Sequence, residues 1–188
     1  TADFNQATDI AISCYNGVSG ALIYGTYIGG SNNEIPNSII VNNEGDLLVL
    51  GTTGSTNFPM AGTPFDNTFN GGNQLNLGTT GVFFSQGSEI IVDNQDNVYI
   101  ATSTNSSDLP TSGVATSLQG VQDAIVAKFN TTLSSLLFSR YLGGNNDDAG
   151  YSMKIDNTDN LFVVGGTKSA NFPSTNNTLN PTFIGGDA

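Results

Sequence analysis

An internal repeat constrains the fold of this chain more than any other feature of its sequence. Tyr141-Leu-Gly-Gly144 follows Tyr27-Ile-Gly-Gly30 at an offset of 114 residues. Without a gap, the same offset aligns three further pairs of segments: Asp123-Ala-Ile-Val with Asp9-Ile-Ala-Ile, Leu161–Gly165 with Leu47–Gly51, and Asn171-Phe-Pro173 with Asn57-Phe-Pro59. A period that is shared by apolar segments and by the turns between them indicates a repeat architecture.

A third copy lies between these two, at an offset of 63 residues from the last. Asp93–Tyr99 matches Asp156–Phe162, and Asp108-Leu-Pro110 stands in the place of the last Asn-Phe-Pro. The middle copy departs from the pattern because Asn73–Ser85 is about twelve residues shorter and carries Gly78-Thr-Thr-Gly81 where the others have Tyr-Leu-Gly-Gly or its equivalent. This difference predicts a shortened outer hairpin in the middle copy.

One unit, from Asp123 to Gly186, reads as four strands. Apolar alternation and short apolar runs between Gly, Asn and Asp clusters predict strands rather than helices. The predicted strands are 123–130, 136–142, about 151–155 and 161–165, with a turn at 156–159. Four antiparallel strands per repeat are typical of a β-propeller blade. Because both faces of an inner strand pack on neighbouring blades, we expect five side chains of the fourth strands to be buried: Leu48, Val49, Ile100, Phe162 and Val163.

The repeat predicts an all-β chain of β-propeller blades, each of four antiparallel strands, with about three repeats that form part of a larger propeller or array. The predicted division is the end of a first blade at 1–30, a second blade with a shortened outer hairpin at 31–86, a third at 87–144, and the first half of a fourth at 145–188. Since a propeller needs about four blades or more, the expected partners are adjoining repeats of the same longer chain or a second copy.

The motifs also carry a family resemblance. Asp-Ala-x-Val-Ala-Lys-Phe-Asn from Asp123, Leu-Phe-Ser-x-Tyr-Leu-Gly-Gly up to Gly144, and Ile-Asp-x-x-x-Asn-Leu-Phe-Val-x-Gly from Ile155 resemble the bacterial β-propeller repeat called SBBP. The resemblance is strongest from Asp123 to Pro173. It implies large secreted or surface-exposed proteins, often of the Bacteroidetes, some of them linked to type IX secretion and gliding motility. It implies no reaction.

The charge distribution argues against two classes of partner. The net charge is −12, and all four basic residues lie in the last third of the chain: Lys128, Arg140, Lys154 and Lys168. Such an acidic surface repels phosphates, so nucleic-acid binding is not expected. Binding to anionic membranes is disfavoured for the same reason. No apolar run approaches the length that spans a bilayer, so membrane insertion is not expected either.

Few residues could support chemistry. The sequence has no histidine, so a Ser-His-Asp or Cys-His relay cannot be built. Asp147 and Asp148 are the obvious carboxylate pair, and Glu34 matches Asp148 in the first copy. Adjacent residues on an extended chain point in opposite directions, which argues against a facing acid and base. We favour a structural task, with Asp side chains accepting backbone N–H bonds. Two alternatives stay open: oxygen ligands to Ca²⁺ at Asp147 and Asp148, and catalysis.

Two further motifs are interpreted as structural. Asp93–Asn97 and Asp156–Asn160 resemble calcium loops, but their acidic spacing is three residues rather than two, and both lie between strands, where Asp and Asn tolerate a turn's positive φ. Turns are therefore favoured over metal sites. The Asn-Phe-Pro segments predict an anchored loop in which the Asn caps the turn and the apolar residue packs inward, with Phe58, Leu109 and Phe172 in the same place.

These features favour an extracellular structural or interaction module of a bacterial surface or secreted protein, of the adhesin or surface-filament type. The expected location is the cell surface or the medium, the expected partner beyond other repeats is a surface glycan or another surface protein, and no enzyme activity is expected. No cofactor is expected apart from the Ca²⁺ of the alternative above. A carbohydrate-binding propeller and an accessory propeller of a secreted hydrolase are the alternative functions.

Overall fold

The computed structural model describes residues 7–65, 88–111, 117–175 and 183. In these ranges the chain forms ten strands and no helix, which confirms the all-β prediction. The strands are β1 Ile10–Tyr15, β2 Leu22–Ile28, β3 Glu34–Val41, β4 Leu47–Thr53, β5 Glu89–Val92, β6 Val98–Thr104, β7 Asp123–Phe129, β8 Leu136–Leu142, β9 Asp148–Ile155 and β10 Leu161–Thr167. The described residues contain no helix long and apolar enough to cross a membrane.

All of the pairings are antiparallel, and they group the strands into four sheets. One sheet has four strands in the order β5-β6-β7-β8, and three sheets have two strands each, β1-β2, β3-β4 and β9-β10. The four strands of the sequence unit that starts at Asp123 are thus divided between two sheets, because β7 and β8 complete the sheet of β5 and β6. The division of the chain into blades 1–30, 31–86, 87–144 and 145–188 stays a prediction.

The sequence offsets reappear in the strands. β2, β3 and β4 each begin and end 114 residues before β8, β9 and β10, and β6 lies 63 residues before β10. The predicted strand equivalence of 47–51, 98–102 and 161–165 is confirmed, since these segments lie within β4, β6 and β10. The third predicted strand begins earlier than expected, because β9 starts at Asp148. The shortened segment Asn73–Ser85, with Gly78–Gly81, lies outside the described residues.

Neighbouring sheets pack through one face. β9 contacts β5, β6 and β7, and β5 contacts β3 and β4. The best-buried cluster contains Tyr99, Ala101 and Met153, at the contact between β6 and β9. The ring of Phe138 packs edge-on against Tyr99 with centroids 6.1 Å apart. Since apolar burial is the main source of stability, this contact between sheets holds the fold together.

The predicted burial of the five named side chains is wrong, although Val98, Tyr99 and Ala101 of β6 are buried. Phe162 is 61% exposed, and the other four side chains, Leu48, Val49, Ile100 and Val163, are only half-buried. β4 and β10 each pair with one strand in a two-stranded sheet, and within the described ranges a neighbouring sheet covers only one face. We expected a neighbouring sheet on both faces of these strands. For β4 and β10, the described elements include a sheet on one face only.

Candidate functional site

Two equivalent turns of this chain are each closed by a carboxylate side chain. Gly29-Gly30 follows β2 and Gly143-Gly144 follows β8, and each pair leads to a carboxylate at the first residue of the next strand. Glu34 accepts hydrogen bonds from the Gly30 N–H at 3.1 Å and the Ser55 hydroxyl at 2.6 Å. We call Gly29, Gly30, Glu34 and Ser55 the first carboxylate turn.

The second carboxylate turn consists of Gly143, Gly144, Asp148 and Ser169. Asp148 accepts hydrogen bonds from the Gly144 N–H and from the Ser169 hydroxyl, both at 2.7 Å. Asp148 and Ser169 are fully buried. The strands that meet here belong to different sheets, so each carboxylate turn fastens the start of one sheet to the end of its neighbour.

The glycines are required by close approach rather than by backbone conformation. A Cβ on Gly143 would lie 2.6 Å from Asp123 Oδ1 and 2.8 Å from Asp148 Oδ2. A Cβ on Gly144 would overlap the side-chain oxygen of Asn171. Real Cβ atoms essentially never come this close to another atom. The Gly-Gly of the repeat therefore makes room for the carboxylates that pack on it.

A serine and an asparagine complete each turn, and sequence reasoning missed the serine. Ser55 and Ser169 also accept hydrogen bonds from the N–H groups of Asn32 and Asn146, at 2.8 and 2.9 Å. The signal was present in the sequence: Thr-x-Ser-x-Asn-Phe-Pro begins at Thr53 and again at Thr167. Since this pattern recurs at the 114-residue offset, its hydroxyls could have been assigned to the turns.

The Asn-Phe-Pro loops are anchored differently from the prediction. In the described part of the chain, Asn57 and Asn171 bond the preceding connection rather than their own turns. Their side-chain oxygens accept the N–H groups of Ser31 and Asn145 in the preceding connection, each at 2.9 Å. The apolar residues of the loops, Phe58, Leu109 and Phe172, are half-buried. The motif thus holds the Gly-Gly connection in place, and its apolar residue keeps contact with solvent.

Asp147 and Asp148 point to different partners. Asp147 forms an ion pair with Lys168, with 3.2 Å between Oδ2 and Nζ, and both side chains are partly exposed. Asp148 points inward, and its Oδ1 is buried with no hydrogen-bond partner among the described residues. Within the described part of the chain, no three His, Cys, Asp or Glu side chains come together to hold a metal ion. Calcium binding at Asp147 and Asp148 stays a prediction.

The two carboxylate turns differ by one methylene group. Glu34 Oε1 reaches the Thr53 hydroxyl at 2.7 Å as well as Ser55. The shorter Asp148 bonds only Gly144 and Ser169 among these partners. The hydrogen bond from Ser55, burial opposing it, and further bonds from Thr53 and Gly30 together lower the pKa of Glu34. Glu34 therefore accepts these hydrogen bonds as an ionised carboxylate.

The acidic turns of the other motif have the predicted form. Asp93 accepts the N–H groups of Gln95 and Asn97, and Asp156 accepts those of Thr158 and Asn160. The third residue after each, Asp96 or Asp159, has φ of 58° or 63°. The prediction of tight turns with a positive φ is confirmed.

One of these turns carries a buried ion pair. Lys128 Nζ lies 2.9 Å from Asp93 Oδ2 and 4.7 Å from the centre of the Tyr99 ring. Burial raises the pKa of Asp93, but hydrogen bonds from Asn97, Lys128 and Gln95 outweigh it and lower the pKa to about 2. Burial lowers the pKa of Lys128, and its bonds to Tyr99 and Asp93 more than reverse this. The pair is ionised at neutral pH and joins β7 to the turn between β5 and β6.

The structure thus assigns most recurrent polar side chains to holding strands, turns and sheets together. Comparison with known proteins agrees with a repeat protein. No curated protein and no solved structure matches the chain. A family model does match, over a segment that runs from β8 through β9 and β10 to the last Asn-Phe-Pro loop, and this confirms the resemblance found in the sequence. Residues 137–173 of this chain match SBBP, the beta-propeller repeat.

Proposed function

We propose that this chain is an extracellular structural and interaction module of a bacterial surface or secreted protein, of the adhesin or surface-filament type. Its partners are adjoining repeats of the same kind, in one longer chain or in a second copy, together with a surface glycan or another surface protein. The SBBP match to residues 137–173 supports a repeat-protein module. The location and the partners go beyond that match and rest on the arguments below.

The observation that carries the proposal is the pair of carboxylate turns. Polar residues that recur in a catalytic repeat would be expected to face an open cleft, where substrate can reach them. Glu34, Asp148, Ser55 and Ser169 are instead buried and bonded to backbone N–H groups and to each other. The repeat therefore conserves polar side chains for building a frame, which is the task of a scaffold.

The composition of the chain supports an interaction role. Only 11% of the residues are charged, against about 25% in typical soluble domains. Polar contacts at the surface must therefore come mainly from Asn, Ser and Thr, which bond a partner without attracting one charge type. Exposed loops of this composition on a rigid sheet frame suit recognition of neutral surfaces.

Protease treatment of intact cells of the source bacterium tests the location. Antibodies raised against residues 1–188 should detect the protein on untreated cells, and the signal should disappear when protease is added outside. A cytosolic protein of known location, probed in the same samples, controls for lysis. Protection of the chain until the cells are lysed would overturn the proposed location.

A hydrolysis assay tests the absence of catalysis. We expect no turnover of peptides, esters or common glycans by the purified chain. The Asp148→Asn variant serves as the matched control, because it removes the most buried carboxylate of the candidate site. Turnover by the native chain that is lost in this variant would establish an enzyme and overturn the proposal.

One observation favours the carbohydrate-binding alternative. Tyr15 and Tyr24 of the β1-β2 hairpin are about half exposed or more, and tyrosine offers an apolar face together with a hydroxyl group. A glycan array distinguishes the two functions. Binding to a defined sugar that is lost in Tyr15→Ala or Tyr24→Ala would favour the carbohydrate-binding module, whereas no sugar binding would favour protein partners.

A further inference from the structure

A tyrosine hydroxyl joins the β7-β8 hairpin to a loop of the same sheet. Tyr141 in β8 is 6% exposed, and its hydroxyl donates to the Ser106 carbonyl oxygen at 2.7 Å. The same hydroxyl accepts a hydrogen bond from the Leu109 N–H at 3.2 Å. It therefore occupies the mouth of the four-residue turn that follows β6.

The equivalent turn after β10 is closed on itself. Its residues, Ser169 to Phe172, lie 63 residues after Ser106 to Leu109. Here the Phe172 N–H donates to the Ser169 carbonyl oxygen at 3.2 Å. These are the two groups that, in the earlier turn, bond the tyrosine hydroxyl. The last turn thus presents a donor and an acceptor in the arrangement that a tyrosine can bridge.

The chain also presents a tyrosine that matches this turn. Tyr27 lies opposite Ala11 in the β1-β2 hairpin, just as Tyr141 lies opposite Ile125 in the β7-β8 hairpin. Both members of the first pair lie 114 residues before those of the second. Tyr27 is 76% exposed, whereas Tyr141 is buried. The β1-β2 hairpin therefore carries the equivalent of Tyr141, but this tyrosine is exposed to solvent instead of bonding a turn.

The strand edges match in the same way. β6 pairs with β5 on one side and β7 on the other, whereas β10 pairs with β9 and, among the described residues, with no second strand. β10 is the equivalent of β6, and β1 is the equivalent of β7. A β1 strand placed against β10 in the β6-β7 register would complete a four-stranded sheet.

We propose that the β1-β2 hairpin of one copy of this chain adds, in a second copy, to the edge of β10 that no described strand covers, with Tyr27 bridging the turn from Ser169 to Phe172. This inference rests on the proposed function as an interaction module and names its partner. The pairing is head to tail, so each copy keeps one donor hairpin and one acceptor edge. Association can therefore continue beyond two copies.

The β6-β7 register fixes which residues meet. Tyr99 lies opposite Lys128 and Ala101 opposite Val126 in the existing sheet. The repeat offsets convert these pairs to Phe162 opposite Cys14 and Val164 opposite Ile12 of the other copy. Phe162 and Val164 are 61% and 63% exposed, and their equivalents Tyr99 and Ala101 are buried. The exposed apolar face of β10 is thus the face that the second copy would cover.

An apolar groove adjoins this face. It has a volume of about 150 Å³ and is lined by Ser152, Met153, Lys154, Phe162, Val163 and Val164. In the existing sheet, β9 fills the corresponding position by contacting β5, β6 and β7. A second copy that adds its β1 strand brings its own β3 strand along, because β1 and β3 are in contact. Apolar burial at this groove gives the association a driving force beyond the edge hydrogen bonds.

Cysteine cross-linking of the full chain tests the register. Cys14 is the only cysteine, so Phe162→Cys creates a single directly opposed pair between copies. Mild oxidation should give disulfide-linked dimers and higher oligomers at least about tenfold faster than for Val163→Cys, whose side chain faces the other side of the sheet. The double variant Phe162→Cys/Cys14→Ser should give no comparable ladder. Equal rates for Phe162→Cys and Val163→Cys would overturn the proposed register.

Removal of the Tyr27 hydroxyl group tests its proposed contact with the turn of the second copy. Tyr27→Phe should weaken self-association in sedimentation equilibrium by about tenfold, which corresponds to about 1.4 kcal/mol for the hydrogen bonds of one hydroxyl group. Its unfolding midpoint should stay unchanged because Tyr27 is exposed. Tyr141→Phe is the matched control, which should lower the midpoint and leave association intact. A chain that sediments as a monomer at all concentrations overturns the inference, whereas the surface role has its own test in the protease experiment.

Discussion

The β1-β2 and β7-β8 hairpins share a register, but they differ in how they are covered. Ala11, Ser13 and Tyr27 are exposed on one face of the first hairpin, and the equivalent Ile125, Ala127 and Tyr141 are buried in the second. The second hairpin extends a four-stranded sheet, and the first pairs only within itself among the described residues. Burial in this repeat is therefore a property of neighbours and not of the strand sequence alone.

The same contrast extends to the acidic turns. Asp93 lies beside the four-stranded sheet and is buried, whereas its equivalent Asp156 follows a two-stranded sheet and is exposed. Matched residues in packed and open positions form natural pairs for mutation. Making the same glycine or aspartate substitution in both members of a pair leaves the environment as the variable, whereas the carboxylate turns, buried in both copies, are compared by exchanging their side chains.

The largest difference is expected for Gly143→Ala against Gly29→Ala. The added Cβ of Gly143 would overlap atoms of Asp123 and Asp148, which are both fully buried and cannot move aside. At Gly29 the Glu34 Oε2 contact at 2.8 Å matches that of Asp148 at Gly143, but the two nearest atoms belong to Asp9, which is exposed and can rotate away, whereas Asp123 at Gly143 is buried. Urea unfolding should show a loss of about 3 kcal/mol for Gly143→Ala and about 1 kcal/mol for Gly29→Ala.

Gly17→Ala controls for the substitution itself, because nothing lies within 4 Å of the position its Cβ would take. Its unfolding free energy should stay within about 0.5 kcal/mol of that of the native chain. Losses of equal size at Gly143 and Gly29 would contradict the idea that packing by the neighbouring sheet sets the difference between the two copies.

The second pair is Asp93→Asn against Asp156→Asn. The pKa of Asp93 falls from 3.8 to about 2 on folding, so its ionised form stabilises the protein above pH 4. That contribution, about 2–3 kcal/mol by linkage, is lost as the pH falls from about 4 to 2. Asp93→Asn should therefore cost about that much at pH 7, and the native and variant stabilities should converge towards pH 2.

Asp156→Asn should cost less at pH 7. Hydrogen bonds from Asn160 and Thr158 lower the pKa of Asp156, but this carboxylate is exposed, and no cation lies in the position that Lys128 takes beside Asp93 among the described ion pairs. Urea unfolding of both variants at pH 7 and near pH 2 measures the difference. A larger loss for Asp156→Asn would show that the turn, rather than the buried ion pair, carries the stability.

Strands and turns of this fold could be predicted from the sequence because their signals are local. The period-two runs and the Asp-Asn clusters placed β7, β8, β10 and the turn with positive φ at Asp159. The burial of Phe162 could not be predicted, since it depends on which sheet lies beside β10. A repeat sequence specifies each unit, and the stacking of units decides what is covered.

Part of the candidate site was visible in the sequence as well. The divergence of Asp147 and Asp148 follows from their adjacency on an extended chain, and their partners Lys168 and Ser169 are themselves adjacent. The ion pair of Lys128 with Asp93 was not predictable, because the two residues lie in segments joined only by the sheet. Local patterns identify the acidic residue of a contact more readily than its partner across strands.

The smallest effect is expected from exchanging the carboxylates of the two carboxylate turns. Glu34 uses its extra methylene group to reach the Thr53 hydroxyl, and Asp148 leaves one buried oxygen without a hydrogen-bond partner in the described part of the chain. Glu34→Asp should lose the Thr53 bond and lower the midpoint of thermal unfolding by about 2–4 °C. Asp148→Glu should let the second turn reach Thr167, the equivalent of Thr53, and raise the midpoint by a similar amount. Calorimetry of the two single variants and of the double exchange measures both effects.

Since the two turns lie in different sheets, the shifts should add, and the double variant should unfold near the native midpoint. A lower midpoint for Asp148→Glu would show that the second turn is too tightly packed for the longer side chain, so that Asp148 is there for its size and not for its hydrogen bonds.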